Sequence, residues 1–169
     1  RGARAIGDVM NRPYRKDKFR AACLGILLLS PFAGLLSAQT QDDFFNPDIL
    51  HEIRIDIHPA DWQKLREAPL DHRYYDCDFT WRYQGRDVVV ENIGIRSRGR
   101  FTANSVKPGL RVVFDYYDKG KELVGLDSIV LDNVSQDASM LKDRLAMLMF
   151  QRLGVPASRE THTRLYVND

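Results

Sequence analysis

The chain has 169 residues, 28% of them charged, and a formal net charge of +2. This length suits about one domain. Residues 1–38 carry seven basic and two acidic side chains, which leaves 18 basic and 21 acidic residues, a net charge of −3, for the rest. Since a net acidic domain lacks the basic surface of a nucleic-acid-binding protein, nucleic acid is excluded as the expected partner.

The first 38 residues have the pattern of a secretion signal. Met10 is the predicted translation start, so residues 1–9 are interpreted as upstream sequence that is not translated. A basic segment, residues 12–20, precedes an apolar stretch, residues 21–36, and the small residues 37–38 provide a cleavage site.

A membrane anchor is the alternative reading of the same stretch. The apolar run is shorter than the roughly 18 to 20 residues that a spanning helix needs, and it contains Pro31. We therefore predict that residues 10–38 are a cleaved signal peptide. The mature protein is expected to be secreted, periplasmic or held in the cell envelope, without a stable membrane anchor.

A linker and the first folded elements follow. Residues 39–50 are predicted to be a linker, because residues 39–48 are polar and contain a proline. Residues 51–58 alternate apolar and polar side chains, which predicts a strand with its three isoleucines buried. Pro59 is placed to open a short helix that ends by Pro69.

The remainder alternates strand patterns with one strong helix pattern. Residues 74–83 and 87–97 predict a β-hairpin around Gln84 and Gly85, and further strands are predicted at residues 110–117, 128–131 and 160–167. Asn168 and Asp169 are interpreted as half of a hairpin turn whose partner strand is missing. The helix is predicted from about residue 138 to 153, with Asp137 or Ser139 as N-cap and with Leu141, Leu145, Leu148 and Met149 on one stripe.

The remaining cysteine, histidines and aromatic residues indicate structure rather than chemistry. Cys77 is the only cysteine after residue 38 and is predicted to be a small buried side chain in a strand, or else to pair with a cysteine beyond residue 169. The histidines share no ligand spacing, so no metal site is predicted. The predicted core contains these aromatic residues: Trp62, Phe79, Trp81, Phe114 and Phe150.

Three stretches occur in a characteristic order. They are residues 93–99 (Ile-Gly-Ile-Arg-Ser-Arg-Gly), residues 107–115 with 125–133, and residues 137–146 with 153–157 and 165–168. Together, over about residues 51–169, they resemble the spore-coat protein H (CotH) kinase-like family. Proteins of this family look like atypical secreted protein kinases, in which a small lobe of strands and one helix clamps ATP against a larger C-terminal lobe.

The resemblance implies a fold and its cofactors. It implies an α+β fold, a mostly antiparallel sheet with one long helix, that corresponds to the N-terminal lobe of an atypical protein kinase. Residues 51–169 would then be an incomplete domain that lacks its C-terminal lobe. ATP and Mg²⁺ are the implied cofactors, a protein is the implied substrate, and the catalytic and metal-holding residues are expected beyond residue 169.

Four residues are candidates for contact with ATP. Phosphoryl transfer needs positioned positive charge on the phosphates and a carboxylate that fixes this charge. The strand candidates are Arg98 and Arg111, and the helix candidate is Asp143, where the family favours Lys and Glu. The alternative for each is an exposed strand arginine or a solvated helix acid.

The fourth candidate, Gly99, begins a loop. Residues 99–105 could cover phosphates through their backbone N–H groups, or they could be a plain connection. Asp132 and Asn133 are interpreted as polar residues that end a strand rather than as a metal site.

The function that the resemblance implies is transfer of phosphate from ATP to Ser or Thr of a secreted or envelope protein. The full-length protein is expected to be the enzyme, and residues 1–169 alone are not expected to be active. The alternative is a non-catalytic adhesion or structural module on the same fold, which the Arg-for-Lys difference and the changed residues of the loop after Gly99 favour. A third possibility is a truncated product that cannot fold stably because its last strand is unpaired.

Overall fold

The computed structural model describes residues 39–99 and 105–169. The upstream residues 1–9 and the predicted signal peptide, residues 10–38, lie outside these ranges, as does most of the loop after Gly99. Within the two described ranges, no helix is long and apolar enough to cross a membrane.

The fold is α+β and is built on one six-stranded sheet. The strands lie in the order β5-β4-β3-β2-β1-β6, with β1 and β6 parallel and the other four pairs antiparallel. In chain order the elements are α1 (Gln41–Phe44), β1 (His51–Ile57), α2 (Pro59–Glu67), β2 (Tyr75–Tyr83), β3 (Arg86–Arg98), β4 (Gly109–Val113), β5 (Ser128–Leu131), α3 (Lys142–Arg152) and β6 (Thr163–Val167). The sheet is therefore mixed, with one parallel pair at its β6 edge.

The predicted hairpin is confirmed. β2 and β3 pair antiparallel up to Tyr83 opposite Arg86, and the two turn residues between them have φ angles of 50° (Gln84) and 76° (Gly85). Two positive φ angles are typical of the tight turns whose twist matches that of the flanking strands. This turn sets the register as far as Val90 opposite Phe79, and an irregularity between Cys77 and Phe79 shifts it, so that Ile93 and Ile95 are the buried residues farther along β3.

The core lies on one face of the sheet. β1 and β2 bury every second side chain, as their alternating pattern predicts. Phe79, Trp81 and Phe114 are fully buried, as predicted, and Trp62 is half-buried against the core cluster. Phe150 is 41% exposed on α3, so its assignment to the core was wrong.

The segment before β1 is folded, although its polar sequence suggested a free linker. Thr40 and Asp43 form a reciprocal capping box around α1. The Tyr83 hydroxyl donates a hydrogen bond to Asp43 at 2.9 Å, and the buried Phe44 ring packs edge-on against Trp81. The buried Phe44 ring and the hydrogen bond from Tyr83 therefore hold this segment against the core.

The last strand has a partner. β6 pairs in parallel with β1 from Thr163 opposite His51 to Val167 opposite Ile55. Asn168 extends the pairing, because its side-chain oxygen accepts a hydrogen bond from the Ile57 amide. The expectation of an unpaired last strand was wrong, and the proposal that the chain cannot fold for this reason loses its basis.

Helix α3 is shorter than predicted and has an ordinary length. It begins at Lys142 because Met140 has a φ of 55° and because the Asp137 carboxylate accepts hydrogen bonds from the amides of Ser139, Leu141 and Lys142. A hydrogen bond from the Ser139 hydroxyl and these amide hydrogen bonds together lower the pKa of Asp137 to about 2. No α3 residue is buried, and Leu145 of the predicted apolar stripe is 61% exposed.

The buried Cys77 gives a first testable expectation. Its side chain is 5% exposed, and burial raises the pKa of its thiol to about 12. Because the thiolate is the reactive form, Cys77 should resist iodoacetamide at pH 8 in the native protein and react in 6 M guanidinium chloride. Peptide mass mapping separates Cys77 from Cys23. Equal labelling of Cys77 in both conditions would contradict its position in the core.

Candidate functional site

Two arginines lie opposite each other on the solvent face of the sheet. In the β3–β4 pair, Arg96 is opposite Arg111, while their neighbours Ile95 and Val112 are opposite each other and buried. Since successive residues of a strand point to opposite faces, Arg96 and Arg111 share the face away from the core. No residue of the described ranges forms a hydrogen bond or ion pair with the Arg111 side chain.

The predicted residue Arg98 is engaged by a carboxylate. Its Nη1 lies 3.2 Å from Oδ2 of Asp132, and the two side chains are 48% and 49% exposed. The other oxygen of Asp132 accepts a hydrogen bond from the Val134 amide at 2.7 Å. Asp132 therefore ends β5 as a local turn residue and also partners Arg98, which the sequence interpretation did not include. An ion pair this exposed stabilises the fold by about 1 kcal/mol at most.

Gly99 follows Arg98 at the end of β3. Its φ of 107° lies in a region that favours glycine, because a side chain would strain the backbone there. The backbone therefore turns at this residue, as the sequence predicts for the start of a loop. Its proposed contact with phosphates remains a prediction.

Asp143 occupies the first turn of α3 and is exposed. Among the described side chains it forms no ion pair with Arg98 or Arg111. Burial raises the pKa of Glu160, and the negative charges of Asp143 and Asp132 raise it further. Asp143 and Asp132 therefore both lie within electrostatic reach of Glu160. Glu160 was not selected from the sequence, because a single acidic residue near the last strand carries no motif that distinguishes it from other surface acids.

Asn133 ties the end of β5 to the segment before β4. It is buried, its side-chain NH₂ donates to the Lys107 carbonyl at 2.9 Å, and its oxygen accepts from the Ser135 amide. This residue therefore has a structural role, which agrees with its interpretation as a strand-ending residue. It also holds the start of β4, and with it Arg111, in register beside β3.

The side chains present suit phosphate better than a metal ion. Within residues 39–99 and 105–169, no group of three or more His, Cys, Asp or Glu side chains is arranged to hold a metal ion. Guanidinium groups bind phosphate oxygens through paired N–H donors, and Arg96, Arg98 and Arg111 supply them on adjacent strands.

A comparison with known protein families finds a match that includes this region. Residues 95–169 match the family model described as CotH kinase protein. Over these residues the chain is similar to the CotH kinase family. The match confirms the resemblance for the part that contains Arg98, Gly99, Arg111 and Asp143, whereas residues 51–94 lie outside it. No curated protein and no solved structure matches the chain.

Proposed function

We propose that this protein is a CotH-type kinase that transfers phosphate from ATP to Ser or Thr of a secreted or envelope protein. In this proposal residues 51–169 serve as the N-terminal lobe and a C-terminal lobe completes the site. The observation that best supports the proposal is that the CotH-matching segment presents Arg98 and Arg111 on neighbouring strands. Arg111 has no hydrogen-bond or ion-pair partner among the described side chains.

The roles of the candidate residues follow from their chemistry. Arg111 would bind phosphate oxygens directly, because its guanidinium is exposed and uncommitted. Arg98 would have to release Asp132 in order to bind phosphate. Gly99 would bring backbone N–H groups close to the phosphate. Any Mg²⁺ would be held by side chains outside the described residues.

Export is part of the proposal and rests on the N-terminal sequence pattern. The basic segment, the apolar stretch and the small residues before position 39 support cleavage there. N-terminal sequencing of the protein recovered from the medium, periplasm or envelope tests this directly. A mature start near Gln39 is the expected result.

A non-catalytic surface module is the second candidate, and one observation favours it. Arg98 is already paired with Asp132, and among the described side chains Asp143 pairs with neither strand arginine, so these residues do not form the arginine–acid pair expected of a kinase lobe. A module of this kind would keep the fold without binding ATP. The two candidates therefore differ in a single measurable property.

The deciding experiment uses the full-length mature protein. Transfer of ³²P from γ-labelled ATP, with Mg²⁺ or Mn²⁺, is measured with the protein itself and a Ser-rich basic peptide as acceptors. The kinase proposal expects label on Ser or Thr and a rise in Tm with ATP. No transfer and no change in Tm would replace it with the surface module.

Arg111→Ala tests the phosphate contact. The substitution should abolish the ATP-induced rise in Tm, because it removes the uncommitted guanidinium. Arg86→Ala is a matched control, since Arg86 is an exposed arginine at the other end of β3, about 30 Å away along the strand. An equal ATP response in both variants would remove Arg111 from the site.

A further inference from the structure

Arg96 and Arg111 form a like-charge pair that the sheet leaves uncompensated. They are directly opposite each other across β3 and β4, where the Cβ atoms of facing residues are about 5 Å apart and like charges destabilise the pair. Among the described residues, no carboxylate forms an ion pair with either guanidinium. The two positive charges therefore meet at a place where a bound anion would stabilise the sheet.

Arg96 is also held in place before any ligand arrives. Its guanidinium lies 5.4 Å from the centroid of the Tyr74 ring, and one of its N–H groups donates to the Ser97 carbonyl at 3.1 Å. Tyr74 in turn stacks on Tyr116 with ring centroids 4.0 Å apart. Since a guanidinium has five N–H donors and only one is used here, four remain for a ligand.

Gly94 makes room for this stack. A Cβ atom at Gly94 would lie 2.6 Å from Cβ of Tyr116, closer than real Cβ atoms approach. The missing side chain therefore lets Tyr116 lie on the strand beside Tyr74. The order along the solvent face is Tyr116 over Gly94, then Arg96 with Arg111, then Arg98 with Asp132.

We propose that Arg96 is a further phosphate-binding residue and that it acts with Arg111 as a two-guanidinium clamp on a phosphoryl group of ATP. The inference rests on the proposed function, because it names the side chains that hold the nucleotide. Two facing guanidinium groups match a doubly charged phosphate, which accepts paired hydrogen bonds from each. Tyr74 is a positioning residue that orients Arg96 and does not contact the ligand.

Calorimetric titration of the full-length protein with ATP and with pyrophosphate tests the clamp. Arg96→Gln and Arg111→Gln should each weaken binding of both ligands at least tenfold, and the double variant should lose less than the product of the single effects, because both groups act on one anion. Arg86→Gln is the matched control and should bind like the wild type.

The outcomes separate the inference from the proposed function. If Arg111→Gln weakens ATP binding and Arg96→Gln does not, the clamp is overturned while the kinase proposal stands. If the wild type binds pyrophosphate through both arginines but does not bind ATP, the clamp on ATP and the kinase proposal both fail. If it binds neither ligand, both are overturned.

A second pair of variants tests the positioning role of Tyr74. Tyr74→Phe keeps the ring under Arg96 and should retain wild-type affinity for ATP, whereas Tyr74→Leu should weaken it several-fold. In steady-state kinetics the loss should appear in KM for ATP rather than in kcat. Equal losses in the two variants, or a loss confined to kcat, would overturn the positioning role.

Discussion

Trp81→Ala is expected to lower the free energy of unfolding by about 3 to 5 kcal/mol, the range for truncating a large buried aromatic side chain. The Trp81 ring is fully buried and packs against Phe44, His51 and Tyr83. Its indole N–H donates to Nδ1 of His51 at 3.2 Å. The substitution therefore opens a cavity and also removes the donor for a buried acceptor. Urea unfolding at pH 7.5 measures the loss.

Two further variants separate the contributions to this effect. Trp81→Phe keeps an aromatic ring but removes the donor, so it should cost about 1 to 3 kcal/mol. Trp62→Ala removes the other tryptophan, which is only half-buried, and should cost less than Trp81→Ala. If Trp81→Ala were as stable as the wild type, the aromatic core beneath α1 would not exist as described.

Acidification from pH 7.5 to pH 5 is expected to destabilise the fold through His51. This side chain is 1% exposed, and its Nε2 lies 3.2 Å from the Asn46 carbonyl oxygen. Because Nδ1 accepts from Trp81, Nε2 carries the single proton and the ring is neutral. Burial lowers the pKa of His51 below its ordinary value of 6.5.

The sign of the effect follows from this lowered pKa. Above about pH 6.5 the ring is neutral in both folded and unfolded chains, and the stabilisation is fully present. Between pH 6.5 and the lower folded pKa only the unfolded chain takes up a proton. Stability therefore falls with decreasing pH, by up to about 1.4 kcal/mol per pH unit within that window. Urea unfolding at intervals of half a pH unit measures the slope.

His51→Phe is the control for this pH dependence. The variant keeps a ring in the cluster but cannot be protonated, so its stability should be lower overall and less dependent on pH between 7.5 and 5. The carboxylates of Asp43 and Asp137 have pKa values lowered below 3.8, so they lose their contribution only in stronger acid. An unchanged slope in His51→Phe would assign the acid sensitivity to other groups.

Local patterns in the sequence predicted the local parts of the fold. The alternation in β1 and the turn at Gln84 and Gly85 were sufficient, because each involves residues close together in the chain. The parallel pairing of β6 with β1 was not predicted, since His51 and Thr163 are 112 residues apart and no local pattern records their contact. The predicted start of α3 was wrong because the Asp137 carboxylate accepts hydrogen bonds from the Leu141 and Lys142 amides, which a longer helix would use in its own backbone hydrogen bonds.

The candidate site was predicted as a set of residues but not as a set of contacts. Motif resemblance selected Arg98, Arg111 and Asp143, and the structure pairs the first with Asp132 and sets the second opposite Arg96. Arg96 was missed, although its position two residues before Arg98 places both on one face of a strand. Its stacking on Tyr74 involves the loop before β2, which the strand pattern alone does not position.

The parallel contact between the first and last strands has a kinetic consequence. The β2–β3 hairpin closes over a two-residue turn and can form early, whereas β1 gains its second neighbour only after more than 100 further residues have been synthesised. Until then one edge of β1 presents unpaired N–H and C=O groups to any other extended chain. Aggregation during slow synthesis or refolding should therefore start at this edge, and arrival of β6 should cover it.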